Sequence, residues 1–332
     1  MARMRILTNM MFWQSRVWTE STQSIYAVGT ETPWPVWKEA WRLWRHAPAY
    51  DVVVTMGVRE SFAFAFLQWI TGRPSKQIMC EVFIDEPQQG LLWRIKTSLY
   101  RTLASRVWGI QTNSTAEIQT GAQRFNIPED SFRYVPLHTT IEEPALHTQD
   151  DGFIFAAGRS LRDYETLLSL ADRLPLPLTI VCGHDDLRTI KPPPNVTVLR
   201  EINRDEYLSL MKRCSFTVTP LRPTERSTGQ VVVLEAMALG KAVIATHAPG
   251  TADIIRHGAS GLLVPPRDPE ALLQAIQFMT DHPEEKKKMI EEAMAYVRQQ
   301  TSYDDHARIK LTAIHELVAR AHLPAQPHKP AP

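Results

Sequence analysis

Short apolar, β-branched runs alternate with helical patterns along the whole chain. The first half supplies "RILTNMM", "DVVVTMG", "KQIMCEVFI" and "VWGIQTN"; the second supplies "GFIFAAG", "LTIVCG", "VTVLR", "FTVTPL" and "AVIATH". Runs that are apolar at successive positions predict strands buried on both faces, and the helical intervals between them predict parallel sheets covered by helices on each side. The expected class is therefore α/β. A polar, proline-containing stretch, "LHTTIEEPALHTQDDG" at 137–152, interrupts the pattern, which restarts at Gly152. It is the expected linker, with a boundary near 148 that divides the chain into domains 1–148 and 149–301. Beyond lie the charged helical segment broken at Pro283 and a further amphipathic segment, about 302–322, expected to pack back on the first domain. Proline denies helix or ladder to residues 323–332, which are expected to be disordered.

Composition narrows the picture. With 332 residues, 44% of them hydrophobic, and a formal charge of +1, the chain has material for two ordinary cores and no excess of cations to attract nucleic acid. Cys80, Cys182 and Cys214 lie far apart without CxxC spacing, which suggests neither a zinc site nor a disulfide framework and fits a reducing, cytoplasmic location. "MARMRILTNMMFW" reads as a first strand rather than a signal peptide. The most apolar window, Ser61–Ile70, is too short to cross a bilayer.

All nine tryptophans fall between Trp13 and Trp108. Trp34, Trp37, Trp41 and Trp44 recur at helical spacing and are expected to pack inward. From Pro87 to Ala116 no acid occurs, while Arg94, Lys96, Arg101 and Arg106 are interleaved with Leu91, Leu92, Trp93, Ile95 and Trp108. Two readings fit segment 91–108: a helix lying on an anionic inner membrane face, or a core helix whose arginines snorkel.

The chemistry concentrates at 227–246, "STGQVVVLEAMALGKAVIAT". Ser227, Thr228 and Gly229 form the turn between a strand and an apolar helix, where unpaired backbone N–H groups and the helix dipole favour an anion such as phosphate. Glu235 follows about two turns into that helix. From spacing alone it is either a water-facing acid on a capped helix or a group that accepts from a ligand's hydroxyls. His184, Asp185 and Asp186 read as a polar loop, and with no Asp-x-Asp after a strand no catalytic metal is expected. The absence of GxGxxG after the first strand argues against a dinucleotide dehydrogenase.

The run "VVVLEAMALGKAVIATHAPGTADIIRHGASGLLVPPRDPEALLQAI", 231–276, resembles the C-terminal half of the retaining glycosyltransferase family 4. That resemblance implies the GT-B fold: two Rossmann-like doubly wound domains facing across a cleft, the first for an acceptor and the second for a nucleotide-sugar donor. It further implies transfer of a sugar from a nucleotide-diphosphate sugar to a hydroxyl of a glycan, a lipid-linked acceptor or a small molecule, with retained configuration and without a metal or cofactor. On this resemblance Glu235 binds the ribose hydroxyls and the turn before it holds the diphosphate. "GFIFAAGRSLRDYETLLSLADRL" resembles the family's Gly-Arg turn, so that Gly158 shapes the loop and Arg159 and Arg162 neutralise the departing diphosphate. Backbone near Leu199 and Arg200 would face the nucleobase.

Departures from the family pattern are specific. Ser227 stands where a second Glu is usual, Glu225 lies two residues before it, and Gln230 replaces a common glycine. "NMMFWQSRVWTESTQS" after the first strand has no glycine, and "CEVFIDEP" offers Glu81, Asp85 and Glu86 where a histidine is frequent. Asp85 is the expected acceptor contact. A non-catalytic nucleotide-sugar-binding module and a sugar-nucleotide epimerase of the same architecture remain as alternatives.

Overall fold

The computed structural model describes residues 4–82, 90–188 and 191–322. They form two compact units, one of residues 4–112, 118–135 and 307–322, the other of 113–117 and 136–306. In chain order the elements to β6 are β1 (Ile6–Thr8), α1 (Arg16–Ser21), β2 (Thr22–Ser24), α2 (Val36–His46), β3 (Val52–Met56), α3 (Val58–Ile70), β4 (Gln77–Cys80), α4 (Leu91–Ala104), β5 (Gly109–Thr112), α5 (Ala116–Phe125) and β6 (Phe132–Tyr134). From β7 they are β7 (Ile154–Ala157), α6 (Tyr164–Leu168), β8 (Leu178–Cys182), β9 (Val196–Arg200), α7 (Arg204–Arg213), β10 (Phe216–Thr219), α8 (Gln230–Ala238), β11 (Val243–Thr246), α9 (Thr251–Ile254), β12 (Leu262–Val264), α10 (Pro269–Asp281), α11 (Pro283–Gln300) and α12 (Tyr303–Ala321).

The first unit holds a six-stranded sheet ordered β2-β1-β3-β4-β5-β6. Each adjacent pair is parallel. Val52, Val53 and Val54 are fully buried, as continuous apolar strands covered on both faces must be. The unit closes with the C-terminal part of α12: Lys310 O accepts from Gln111 Nε2 at 2.9 Å, and Leu317 packs where Gly109 lacks a side chain. Lys310, itself buried, places Nζ 3.6 Å from Glu81.

The second sheet runs β12-β11-β10-β7-β8-β9, again all parallel. Period-two geometry sorts β7 between two cores: Ile154 and Ala156 join Ile180, Val218 and Ile244 in one layer, while Phe155 and Ala157 join Met237, Val243 and Ala245 in the other. Burying each large apolar side chain contributes roughly 1.5–3 kcal/mol. α8 is buried along nearly its whole length, which explains a sequence apolar on every side rather than along one stripe. Local signals fix the ends of neighbouring helices. Asp268 caps α10 through Ala271 N at 2.9 Å ahead of Pro269, and Asn203 caps α7 through Glu206 N at 2.9 Å.

Two expectations change. The chain passes to the second unit after Val135, not near 148, because residues 136–151 are tied to that unit: Thr139 N donates to Thr301 O, Ala145 N to Ala238 O, and buried Lys241 donates to Gln149 O. Of the four spaced tryptophans, Trp37 and Trp41 face outward, at 73% and 45% exposure. Ala40 and Leu43 fill the inner side of α2 instead. Asp85, Glu86 and 323–332 lie outside the described residues.

Candidate functional site

In the second sheet the strand order reverses between β7 and β10: β8 and β9 lie to one side, β11 and β12 to the other. Open α/β sheets bind ligands outside the carboxyl ends of the strands at such a switch point. Two loops meet there, 158–163 after β7 and 220–229 after β10. Backbone bonds join them, Asp163 N to Pro220 O at 3.0 Å and Arg222 N to Leu161 O at 2.9 Å.

Arg162 organises the first loop. Its guanidinium is buried and donates to Ala157 O at 2.8 Å and Ser160 O at 2.9 Å. It occupies the space a Cβ on Gly158 would need, and the φ of 123° there suits glycine. Burial lowers its pKa, yet an arginine stays charged at any ordinary pH. A fixed cation thus stands at the switch point, and among the described residues no carboxylate hydrogen-bonds to it. Tyr164 donates from its hydroxyl to Gly158 O at 2.7 Å, and Asp163 caps α6.

The second loop delivers the N-terminus of α8. Gly229 caps it in the left-handed region, φ 80°, and a Cβ there would press on Leu221, Thr219 and Thr251 at 3.1–3.3 Å. Thr228 is buried and its hydroxyl reaches Ser160 O at 3.4 Å, which brings Thr228, Gly229, Gly158 and Arg162 into one cluster. Gln230 is not aimed outward: its side chain fills the space beside Gly250 and donates to Asn113 O at 2.8 Å. Ser227, also buried, gives its N–H to Glu117 Oε1 at 2.8 Å. Burial raises the Glu117 pKa despite opposing hydrogen bonds from Ser227, Asn113 and Ser114. A carboxyl group therefore sits at the turn where Ser227 brings none.

Glu235 neither faces water nor stands free. It is 1% exposed and accepts from Arg204 Nη1 at 3.0 Å, from Tyr207 OH at 2.6 Å and from Thr140 Oγ1. Arg204 Nη2 also donates to Thr140 Oγ1 at 2.8 Å, closing the ring. Burial and the adjacent Glu235 both raise the Tyr207 pKa. Arg204 and Tyr207, three apart on α7, share a helix face. That spacing was the available signal in the sequence, and nothing in it named Glu235 as their partner.

The remaining candidates scatter. Arg159 is exposed and paired with Glu201 at 2.7 Å, apart from the partners of Arg162. Leu199 is half-buried at the end of β9, and the Arg200 side chain braces the preceding loop through Asp186 O and Leu187 O. Glu225 is exposed. Asp186 accepts from Gly183 N and Asp185 pairs with Arg188. Among the described residues no three His, Cys, Asp or Glu side chains form a group able to hold a metal ion.

The sequence model of the family described as "Glycosyl transferases group 1" matches residues 161–282. The chain is similar to the D-rhamnosyltransferase WbpZ of Pseudomonas aeruginosa, 31% identical over 106 residues, and to an uncharacterized glycosyltransferase of Methanocaldococcus jannaschii, 34% over 96 residues. These stretches cover 32% and 29% of this chain, and 28% and 26% of the relatives. Among solved structures, a glycosyltransferase from Rickettsia africae aligns with a TM-score of 0.70 at 14% identity, over 96% of this chain and 99% of that one. HepE from Anabaena, solved with UDP, aligns at 0.68 and 15% identity, over 94% and 99%. The chain therefore has the two-domain GT-B fold of these structures.

Proposed function

We propose that this protein is a glycosyltransferase that moves a sugar from a nucleotide-diphosphate sugar to an acceptor hydroxyl with retained configuration. The observation that carries the reading is the switch point of the second sheet, where the N-terminus of α8 and the buried Arg162 converge. Matched similarity over 161–282 supports the class of reaction. Structures of HepE with UDP and with UDP-glucose support the class of donor.

In this reading the first N–H groups of α8 and the hydroxyl of Thr228 hold the diphosphate, and Arg162 fixes positive potential behind it without reorganisation. Charge builds on the departing diphosphate in the transition state, so a preset cation stabilises it more than it stabilises bound substrate. Arg159 would join after releasing Glu201. Glu235 would receive the ribose hydroxyls once Arg204 and Thr140 give up their bonds. The first unit would take the acceptor, a glycan, lipid-linked or small-molecule hydroxyl. No metal or cofactor is invoked, and α4, with Leu91, Leu92 and Ile95 exposed beside Arg94 and Lys96, would rest on an anionic cytoplasmic membrane face.

A second reading, a non-catalytic nucleotide-sugar-binding module, is favoured by the filled acceptor positions of Glu235. Calorimetry against a panel of UDP-, GDP- and TDP-sugars, followed by nucleoside-diphosphate release with chelator present, separates the two. Binding with acceptor-dependent release, and proton NMR showing a retained anomer, supports the transferase. Binding without release supports the module, and no binding rejects both. Loss of release with chelator rejects metal independence.

A further inference from the structure

A hollow of about 520 Å³ lies in the second unit between α7 and residues 146–149. Asp205, Ser209 and Lys212, spaced so that they share one face of α7, line one wall, and His147 and Thr148 line the other. The second wall is anchored from behind. Ala145 N donates to Ala238 O at 2.9 Å and His147 N to Leu239 O at 3.2 Å, while Leu146 lies in the space that Gly240, at φ 69°, leaves by having no Cβ.

The polar groups facing this hollow are without protein partners. Among the described residues the side chains of His147, Thr148, Ser209 and Lys212 make no hydrogen bond, and Lys212 makes no ion pair. Lys241, buried nearby, donates only to Gln149 O at 2.7 Å. The neighbouring acids are engaged elsewhere: Asp151 pairs with Arg213 at 3.0 Å, and Asp150 accepts from Ser215 Oγ and from Gly152 N at 3.0 Å. Asp205 stands seven residues before Lys212 on α7, about 10 Å away along the axis. The end of the hollow at His147 and Lys212 is therefore cationic. Burial and the fields of Lys212 and Lys241 lower the His147 pKa, and an anion seated there would oppose those fields. A phosphate suits the place, because its acceptor oxygens can meet an ammonium, an imidazole and two hydroxyls at once.

Both walls also serve Glu235. α7 supplies Arg204 and Tyr207, each one position before a residue of the hollow, Asp205 and Leu208, and the segment that continues into the other wall supplies Thr140. We propose that this hollow binds a small molecule through a phosphate group, and that the occupant, bracing α7 against residues 146–149, holds the ring of Arg204, Thr140 and Glu235 closed and so weakens donor binding. The binding stands on its own geometry, whereas the effect on the donor rests on the assignment of Glu235 to the ribose.

The test follows the His147 ring by proton NMR, assigned through H147Q, as the full chain is titrated with inorganic phosphate or glucose 1-phosphate against sodium chloride at equal ionic strength. Expected is a saturable rise in the His147 titration midpoint with phosphate, absent in chloride, and a response at least tenfold weaker in K212Q. A tighter response to glucose 1-phosphate assigns a phosphate ester, an equal one free phosphate. Calorimetry with the nucleotide sugar that binds best should then show at least a threefold loss of affinity that levels off as phosphate saturates and is absent in K212Q/H147Q. Without phosphate, that variant should match the parent in circular dichroism and in nucleotide-sugar affinity. No response of His147, an equal response in chloride, or one unchanged in K212Q would overturn the site. Donor affinity that phosphate leaves unchanged, or that keeps falling and does so equally in K212Q/H147Q, would overturn the coupling, the second result marking plain competition at the donor site. Should the chain bind no nucleotide sugar, the His147 titration still decides the site, which separates failure here from failure of the transferase reading.

Discussion

Glu235 and Arg204 form an ion pair at 3.0 Å whose two ends live in different surroundings: the carboxylate side chain is 2% exposed, the guanidinium 52%. The buried end therefore governs the energetics. Removing Arg204 leaves a buried carboxylate with two hydroxyl donors, and the half-exposed pair is partly screened. Arg204→Ala should destabilise the protein by about 1–2 kcal/mol in urea titration. Glu235→Ala strands Tyr207 and Arg204 together and should remove about 2–4 kcal/mol. Equal losses in the two variants would contradict this account.

The same pair bears on ligand binding. If Arg204 blocks the acceptor positions a ribose would use, Arg204→Ala should bind nucleotide sugar more tightly by several-fold even as stability falls, while Glu235→Ala should weaken binding at least tenfold. Calorimetry at a temperature where both variants are folded decides it. Unchanged affinity in Glu235→Ala would remove Glu235 from the donor site.

Gly158 and Arg162 occupy one space. A Cβ on Gly158 overlaps the guanidinium, and φ of 123° is strained for any L side chain. Gly158→Ala should destabilise by about 2–4 kcal/mol, from strain and from expulsion of the arginine. In Gly158→Ala/Arg162→Ala the overlap is gone and the strain stays, so the double variant should be less destabilised than the sum of the singles. Strict additivity in thermal melts would show that the two do not interact.

These predictions separate what the sequence could express from what it could not. β7, β8, β10 and β11 were legible because a strand buried on both faces must be apolar at successive positions, and the turn at 227–229 because Gly229 alone tolerates its backbone there. The partners of Glu235 were not, since Thr140, Arg204 and Tyr207 come from distant segments and only the fold brings them together. Trp37 and Trp41 misled for a related reason: helical spacing fixes which residues share a face, not whether that face looks inward. Glu117 was invisible for want of any local link to Ser227, 110 residues away.

Buried Glu39 sets a pH dependence in the first unit. Burial raises its pKa above the usual 4.5, against the hydrogen bonds from Tyr26 and Asn9. The folded state thus holds this proton more tightly than the unfolded state, so its contribution is fully present below pH 4.5 and is lost as pH rises through the raised value. Melting temperature should fall across that window more steeply in the parent than in Glu39→Gln. Parallel curves would mean that the group titrates alike in both states.

Ser227 and Glu117 supply the sharpest double-variant test. Ser227 N–H binds the Glu117 carboxylate at 2.8 Å, so an acid introduced at 227 would place a second carboxylate against one that burial already makes reluctant to ionise. Like charges at that distance repel, and desolvation strengthens the repulsion. Ser227→Glu should therefore destabilise by about 1–3 kcal/mol at neutral pH, with the loss shrinking as pH falls and one carboxylate takes up a proton. Glu117→Gln relieves the repulsion, so Ser227→Glu/Glu117→Gln should recover at least half of the loss in urea denaturation. A coupling energy of zero between the two positions would show that Glu117 does not act as the acid of this turn.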